Sequence, residues 1–355
     1  MSKADAVAAV LWIGATLYAV FGGADFGAGL WALIAGSGER GQRARALVDW
    51  AIGPVWEANH VWLIFVLVVL WTGFSVAFAS VMSTLFVPLS LAALGIVLRG
   101  SGFAFHKLAR RGQYRRLAER LFGLFSLLTP FFMGTVVGAI ASGRVPVGNA
   151  AGDAVTSWLN GVSLLTGALF VATGAYLSAV FLVSDAGRAG EDDMEQYFAT
   201  RALVAAIAAG AIAVAGLFVY RADARYIYDG LTGDALPLVI VSAVCGIGVL
   251  LLLWRGGRRG TRPLAVGAVV AVIWGWGVAQ HPYLLPKSLT ISDGAADSET
   301  LTAVLIVFGA AVVVVLPALA FLYTLAQRSV LEREASPGSA PDAQHPEHRR
   351  PAGGV

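Results

Sequence analysis

Cysteine and charge are what this chain has least of. Its 355 residues include one cysteine, Cys245, set in an apolar run, which excludes an internal disulfide, a thiolate-held iron–sulfur cluster and a CxxC redox pair. Only 13% of the residues are charged, roughly half the share of an average soluble protein. The formal charge of +3 is too small, and its basic residues too interrupted by apolar blocks, for nucleic-acid binding. The amino terminus also lacks a basic region followed by a short apolar core and a small-residue cleavage site, so the first apolar segment is expected to stay in the mature protein.

Apolar residues dominate instead, at 57% of the chain with a mean hydropathy of +0.73. They come in blocks of about 20, enough for a helix to cross the roughly 30 Å hydrocarbon layer. The fold class is therefore an all-α polytopic membrane protein. The 42 glycines fit it, because small residues let helices approach closely where no hydrophobic drive pushes them together. Reading apolar blocks against polar breaks predicts nine transmembrane helices at 6–34, 51–73, 75–98, 119–141, 156–183, 202–220, 236–254, 263–281 and 301–325. The weakest boundary is the uncharged Trp71-Thr72-Gly73-Phe74-Ser75.

The basic residues test this count, since they favour the cytoplasmic side near span ends. Nine spans place 20 of the 25 Lys and Arg on one side, including the run from Arg99 to Arg120. Lys3, Arg144, Arg221, Arg225 and Lys287 fall on the other. The expected orientation has the amino terminus outside and the carboxyl terminus in the cytoplasm. Residues 1–328 then form the transmembrane domain, and 329–355, rich in Pro, Gly and charge without periodicity, a disordered cytoplasmic tail. Most tryptophans read as interfacial anchors, Pro88, Pro130 and Pro317 as kinks within spans, and the basic Arg110 to Arg120 stretch as a contact for anionic membrane lipid.

Two of the 22 acidic residues, Asp25 and Glu57, lie inside apolar segments. An intramembrane charge costs about 2.5–3.5 kcal/mol on insertion scales and usually has a reason. At 1.5 Å per residue, Asp25 lies about 13 Å from the cytoplasmic end of its helix, Glu57 about 9 Å and His60 about 14 Å from the start of theirs. All three fall in the cytoplasmic half and could form one polar strip. It serves either as a proton-conducting line open to the cytoplasm or as hydrogen-bonded packing among helices, Asn59 included. Around Asp25, Gly22-Gly23-Ala24-Asp25-Phe26-Gly27-Ala28-Gly29 permits close approach of a helix or a prosthetic group. No pair of His or Met stands at matching depth for a b-type haem, so no haem and no metal is expected on this chain alone.

Particular strings then become recognisable. Gly23-Ala24-Asp25-Phe26-Gly27-Ala28-Gly29, followed by Pro54-Val55-Trp56-Glu57-Ala58-Asn59-His60-Val61-Trp62, resembles subunit II of the cytochrome bd family of quinol oxidases. Arg99-Gly100-Ser101-Gly102-Phe103 and His281-Pro282-Tyr283-Leu284-Leu285-Pro286 resemble its stretches after helix three and before the last helix. The resemblance implies two four-helix bundles plus a peripheral ninth helix in a bacterial cytoplasmic membrane. The partner is a similarly built subunit I that carries the quinol site and haems b and d. It implies quinol oxidation coupled to reduction of oxygen to water. Asp25, Glu57 and His60 would take part in proton transfer, and Trp56, Asn59, Trp62, Gly27 and Arg99 in packing of the motif and the subunits. His60 stands where some relatives carry Gln, and Glu57 where others carry Asp. The family can also hold a structural quinone and a small single-helix accessory subunit, on which no motif here decides. A proton-coupled secondary transporter and a purely structural scaffold are the competing classes, both compatible with intramembrane acids and Gly-rich helices.

Overall fold

The computed structural model describes residues 2–52, 56–108 and 113–327, with side chains described in those stretches except at 52, 56–58, 105–108, 113–116, 316, 319, 322, 323 and 325–327. The sequence-predicted tail 329–355 and the basic residues Arg110 and Arg111 lie outside them. One compact unit takes in residues 1–307 and a second 308–355.

The first span is continuous but irregular. Helix α1 (Lys3–Leu17) opens on a capping box in which Ser2 and Asp5 satisfy each other's backbone amides. It passes through a π-helical stretch, Tyr18–Gly22, into α2 (Gly23–Ile34). A charged helix, α3 (Glu39–Ile52), follows and was not expected from the sequence; α4 (Trp56–Gly73) comes next. The predicted third span, 75–98, is not one helix. Phe74, fully buried and with φ −141° and ψ 57°, breaks the chain, and α5 (Ser75–Thr84) leaves α4 at a bend of 119°. A second break at Leu85 precedes α6 (Phe86–Leu108). Pro88 therefore occupies the first turn of α6, where its missing N–H costs no helical bond, and does not kink a span.

Helices α7 (Gln113–Ala141), with Pro130 inside it, and α8 (Gly161–Ala189), capped by Asn160 on the Ser163 amide and closed by left-handed Gly190, form the next pair. Then come α9 (Asp192–Asp223), the short α10 (Arg225–Thr232), α11 (Leu236–Trp254) and α12 (Thr261–Gln280). A two-stranded antiparallel hairpin of β1 (Tyr283–Leu285) and β2 (Leu289–Thr290) leads through α13 (Ile291–Gly294) to α14 (Ser298–Gln327), which contains Pro317. Among the described residues eight helices are long and apolar enough to cross a membrane, and nine if the bent α4–α5 pair counts as one span.

The interior of the first unit is built on α2, α7 and α8, with α6 packed on α7 and α9 on α8. Backbones meet almost directly: a methyl at Gly27 would run into the carbonyl of Gly174 across the α2–α8 crossing. Ion pairs gather the basic segments at one end. Arg43 on α3 bonds Glu191 at 3.0 Å and Asp193 at 3.3 Å, and Arg258 pairs with Glu195. Asp185 near the end of α8 takes both Arg188 and Arg262.

Candidate functional site

Breaking the chain at Phe74 and Leu85 starts the third span at Phe86, and its candidate membrane segment runs to Ala104. Arg99 consequently falls inside the span. The sequence pattern counts it among the loop charges beside the third helix; the structure corrects this, leaving its side chain 1% exposed. The cation missing from the sequence-level picture of Asp25 is thus Arg99, 74 residues away.

The pair is bidentate. Arg99 donates from Nη2 to Asp25 Oδ1 at 2.8 Å and from Nη1 to Oδ2 at 3.1 Å, with a third contact from Nη2 to the Asp25 carbonyl oxygen at 3.2 Å. Its Nε donates to Ser126 Oγ on α7 at 2.8 Å, and Ser126 in turn donates to the Phe122 carbonyl at 2.7 Å. Above and below, the rings of Phe26 and Phe122 lie 4.8 and 4.6 Å from the guanidinium carbon. A planar fork matched to a carboxylate and flanked by aromatic faces is what guanidinium does and an ammonium cannot. Three helices are locked by this one side chain. Gly29 makes it reachable, since a methyl there would collide with the Ser126 hydroxyl and push α7 away.

The other predicted site residues divide. His60 on α4 reaches the pair's surroundings through Phe26, its ring edge-on to that phenyl at 6.2 Å between centroids. Asn59 is buried, and Trp62 packs edge-on to Phe65 at 6.5 Å. The side chains of Glu57 and Trp56 lie outside the described residues, although both belong to α4. Gly27 acts in helix packing, as its contact with Gly174 requires.

Sequence reasoning missed Tyr18. It sits at the start of the π-helical stretch, and its hydroxyl donates to Met133 Sδ at 3.5 Å. No local pattern reveals it, because a π-bulge has no composition signature. Among the described residues no three His, Cys, Asp or Glu side chains converge as a metal site. His281 is exposed, 4.0 Å from Asp5, and the Met133 sulfur is occupied by the Tyr18 hydroxyl, so these donors do not fit an axial pair for a haem.

Comparison with known proteins agrees with the architecture. A Bacillus subtilis (strain 168) protein described as a cytochrome bd menaquinol oxidase subunit II is 23% identical over 331 residues, covering 90% of this chain and 94% of its own. A cytochrome bd ubiquinol oxidase subunit 2 of the same organism is 28% identical over 128 residues, 36% of each chain. The solved structure of the bd oxidase from Geobacillus thermodenitrificans contains a chain that superposes with a TM-score of 0.72 at 25% identity, over 92% of this chain and 98% of that one. The family model for cytochrome bd terminal oxidase subunit II matches residues 4–326, nearly the whole described chain, and the protein belongs to that family.

Proposed function

We propose that this chain serves its terminal oxidase as a haem-free subunit that braces the haem-bearing subunit I and supplies part of a proton route from the cytoplasm through Glu57, His60 and Asp25. The subunit belongs to a quinol:oxygen oxidoreductase complex. The observation that carries the reading is the fully buried Asp25–Arg99 pair with His60 one ring away. Burying two charges is expensive, and apolar residues of the same volume would serve packing as well or better, so a structure that keeps them has a use for the charge.

The roles divide by chemistry. Both Asp25 oxygens are engaged by Arg99, which holds fixed the carboxylate that the route passes through. His60 and, one helical turn before it, Glu57 are the groups that pass protons on, an imidazole being able to accept at one nitrogen and donate at the other. The haems b and d of the complex are assigned to subunit I, as the family resemblance implies. The resemblance supports two four-helix bundles with a peripheral ninth helix in a bacterial cytoplasmic membrane. Orientation, amino terminus outside, is supported by the ion pairs that bring segments 39–52, 185–201 and 255–262 to one end. With Arg99 removed from the loop count, the basic bias toward that side still holds.

Coexpression with subunit I and measurement of quinol oxidase turnover and haem content for Glu57→Ala and Asp25→Ala test the route. Turnover is expected to fall by at least about tenfold in both with haems b and d retained, the size expected when a proton-transfer group is lost. Full turnover in assembled complexes of both variants would leave the scaffold reading, which the locking of three helices by Arg99 favours.

A further inference from the structure

A second cationic site lies apart from the Asp25–Arg99 pair. Arg201 on α9 holds its guanidinium carbon 3.2 Å from the centre of the Tyr197 ring and 6.0 Å from that of Trp31. Arg40 on α3 reaches the same Tyr197 ring at 5.0 Å. Among the described residues neither arginine pairs with a carboxylate; Arg201 donates only to the Tyr197 carbonyl, at 3.2 Å. Beside them the Tyr197 hydroxyl is buried with no hydrogen-bond partner. Two guanidinium groups therefore share one tyrosine ring with no carboxylate bonded to either among the described residues, although the exposed Arg40 also lines a cavity with Glu39 and Asp193.

Sharing Trp31 with this place is an open apolar groove of about 420 Å³ between α2, α7, α8 and α9, lined by residues that include Phe131, Val171, Ala205, Ala208 and Ile212. Trp31 belongs to both places, stacking under Arg201 and walling the groove. Arg201 immediately precedes the apolar run of α9, the depth of lipid headgroups. From Arg201 to Ile212 the helix rises roughly 16 Å at 1.5 Å per residue, about one leaflet of a 30 Å hydrocarbon layer.

We propose that Arg40 and Arg201 bind the phosphate of an anionic diacyl phospholipid whose acyl chain occupies the groove between α2 and α9, making the lipid a fixed part of this subunit. The charge selects the occupant. A neutral molecule would fill the groove but leave the half-buried Arg201 without an anionic partner, whereas a phosphate takes bidentate bonds from arginine in the geometry it prefers. Because α3 contributes Arg40 and α9 contributes Arg201, the headgroup would also tie the charged helix to the membrane surface.

The test is lipid retention by the whole oxidase complex. Complexes purified in detergent carry wild-type chain, the double variant Arg40→Gln with Arg201→Gln, or Ala208→Trp, which fills the groove. Extracted lipids are quantified by mass spectrometry. Each variant is expected to lose one phosphatidylglycerol per complex and no neutral lipid. An unchanged phosphatidylglycerol count in both overturns the proposal. So does loss of a neutral lipid or quinone from Ala208→Trp alone with nothing lost from the arginine variant. Should the variants not assemble, wild-type complex is reconstituted with phosphatidylglycerol or phosphatidylcholine bearing brominated chains. Tryptophan quenching is then expected to be greater with phosphatidylglycerol, by an amount that Trp31→Phe abolishes; equal quenching by the two lipids overturns the proposal.

Discussion

Arg99 and Asp25 face each other across α6 and α2 with both terminal guanidinium nitrogens on both carboxylate oxygens, at 2.8 and 3.1 Å, in an interior that leaves neither side chain more than 2% exposed. Such a pair is costly to make and costlier to break. Removing one partner leaves an uncompensated charge, a loss of about 3–5 kcal/mol, while removing both can be neutral.

The first prediction follows from that asymmetry. Arg99→Ala and Asp25→Ala should each lower the melting temperature of the purified complex, by the equivalent of about 3–5 kcal/mol. The double variant Asp25→Leu with Arg99→Met should be more stable than either. A thermal double-mutant cycle checks this, and additive losses would show that the two residues act independently.

Arginine's shape should matter as much as its charge. Arg99→Lys keeps the positive charge but gives up the fork and the bond from Nε to Ser126. We expect it to assemble, to retain haem in the complex and to melt below wild type, with Ser126→Ala giving a smaller shift, near 1 kcal/mol. Differential scanning of the three complexes measures the order.

Gly27 offers a purely steric prediction. A methyl there meets the Gly174 carbonyl, backbone that cannot rotate aside. Gly27→Ala should force α2 and α8 apart at a cost of about 1–3 kcal/mol and reduce the yield of assembled complex. Gly210→Ala, at a position with open space, should be silent by the same assay.

Acid should act on the entry to α14. Asp297 accepts bonds from the Thr300 amide at 2.9 Å, the Thr300 hydroxyl at 2.8 Å and the Glu299 amide at 3.0 Å, and these hold its carboxyl below the usual carboxylate range, the Thr300 backbone bond contributing most. A lowered native value means the cap stabilises fully above the unfolded carboxyl's pKa near 3.9 and stops doing so as pH falls through the native one. Asp297→Ala should therefore melt below wild type at pH 7, and the two curves should converge as the medium is acidified. A constant difference across that range would rule the cap out as the cause.

How far the sequence discloses this molecule depends on the range of the interaction. The long apolar blocks placed most spans within a few residues, because crossing the bilayer is a one-dimensional constraint written in consecutive residues. Helix α3 escaped notice because its charges mimic a loop: Arg40, Arg43, Arg45 and Asp49 lie on 14 residues of helix rather than in a connection. Asp25 stood out as a charge among apolar neighbours. Arg99 did not, since Gly100 and Ser101 after it looked like the start of a loop, and only the break at Leu85 moves the span far enough to enclose it. Its pairing with Asp25 is a long-range fact that no window along the chain contains.

The π-helical stretch at Tyr18–Gly22 sets the phase of everything after it in the first span. One residue more than an α-helix would use turns the following helix by about 100° about its axis. The carboxylate of Asp25 meets Arg99 of α6 in the first turn past that stretch. Deleting a single residue between 18 and 22 would leave every side chain of the pair in the sequence and carry the acid a quarter-turn or more away from its arginine. In this subunit the address of the buried charge is encoded as a rotation, one insertion deep.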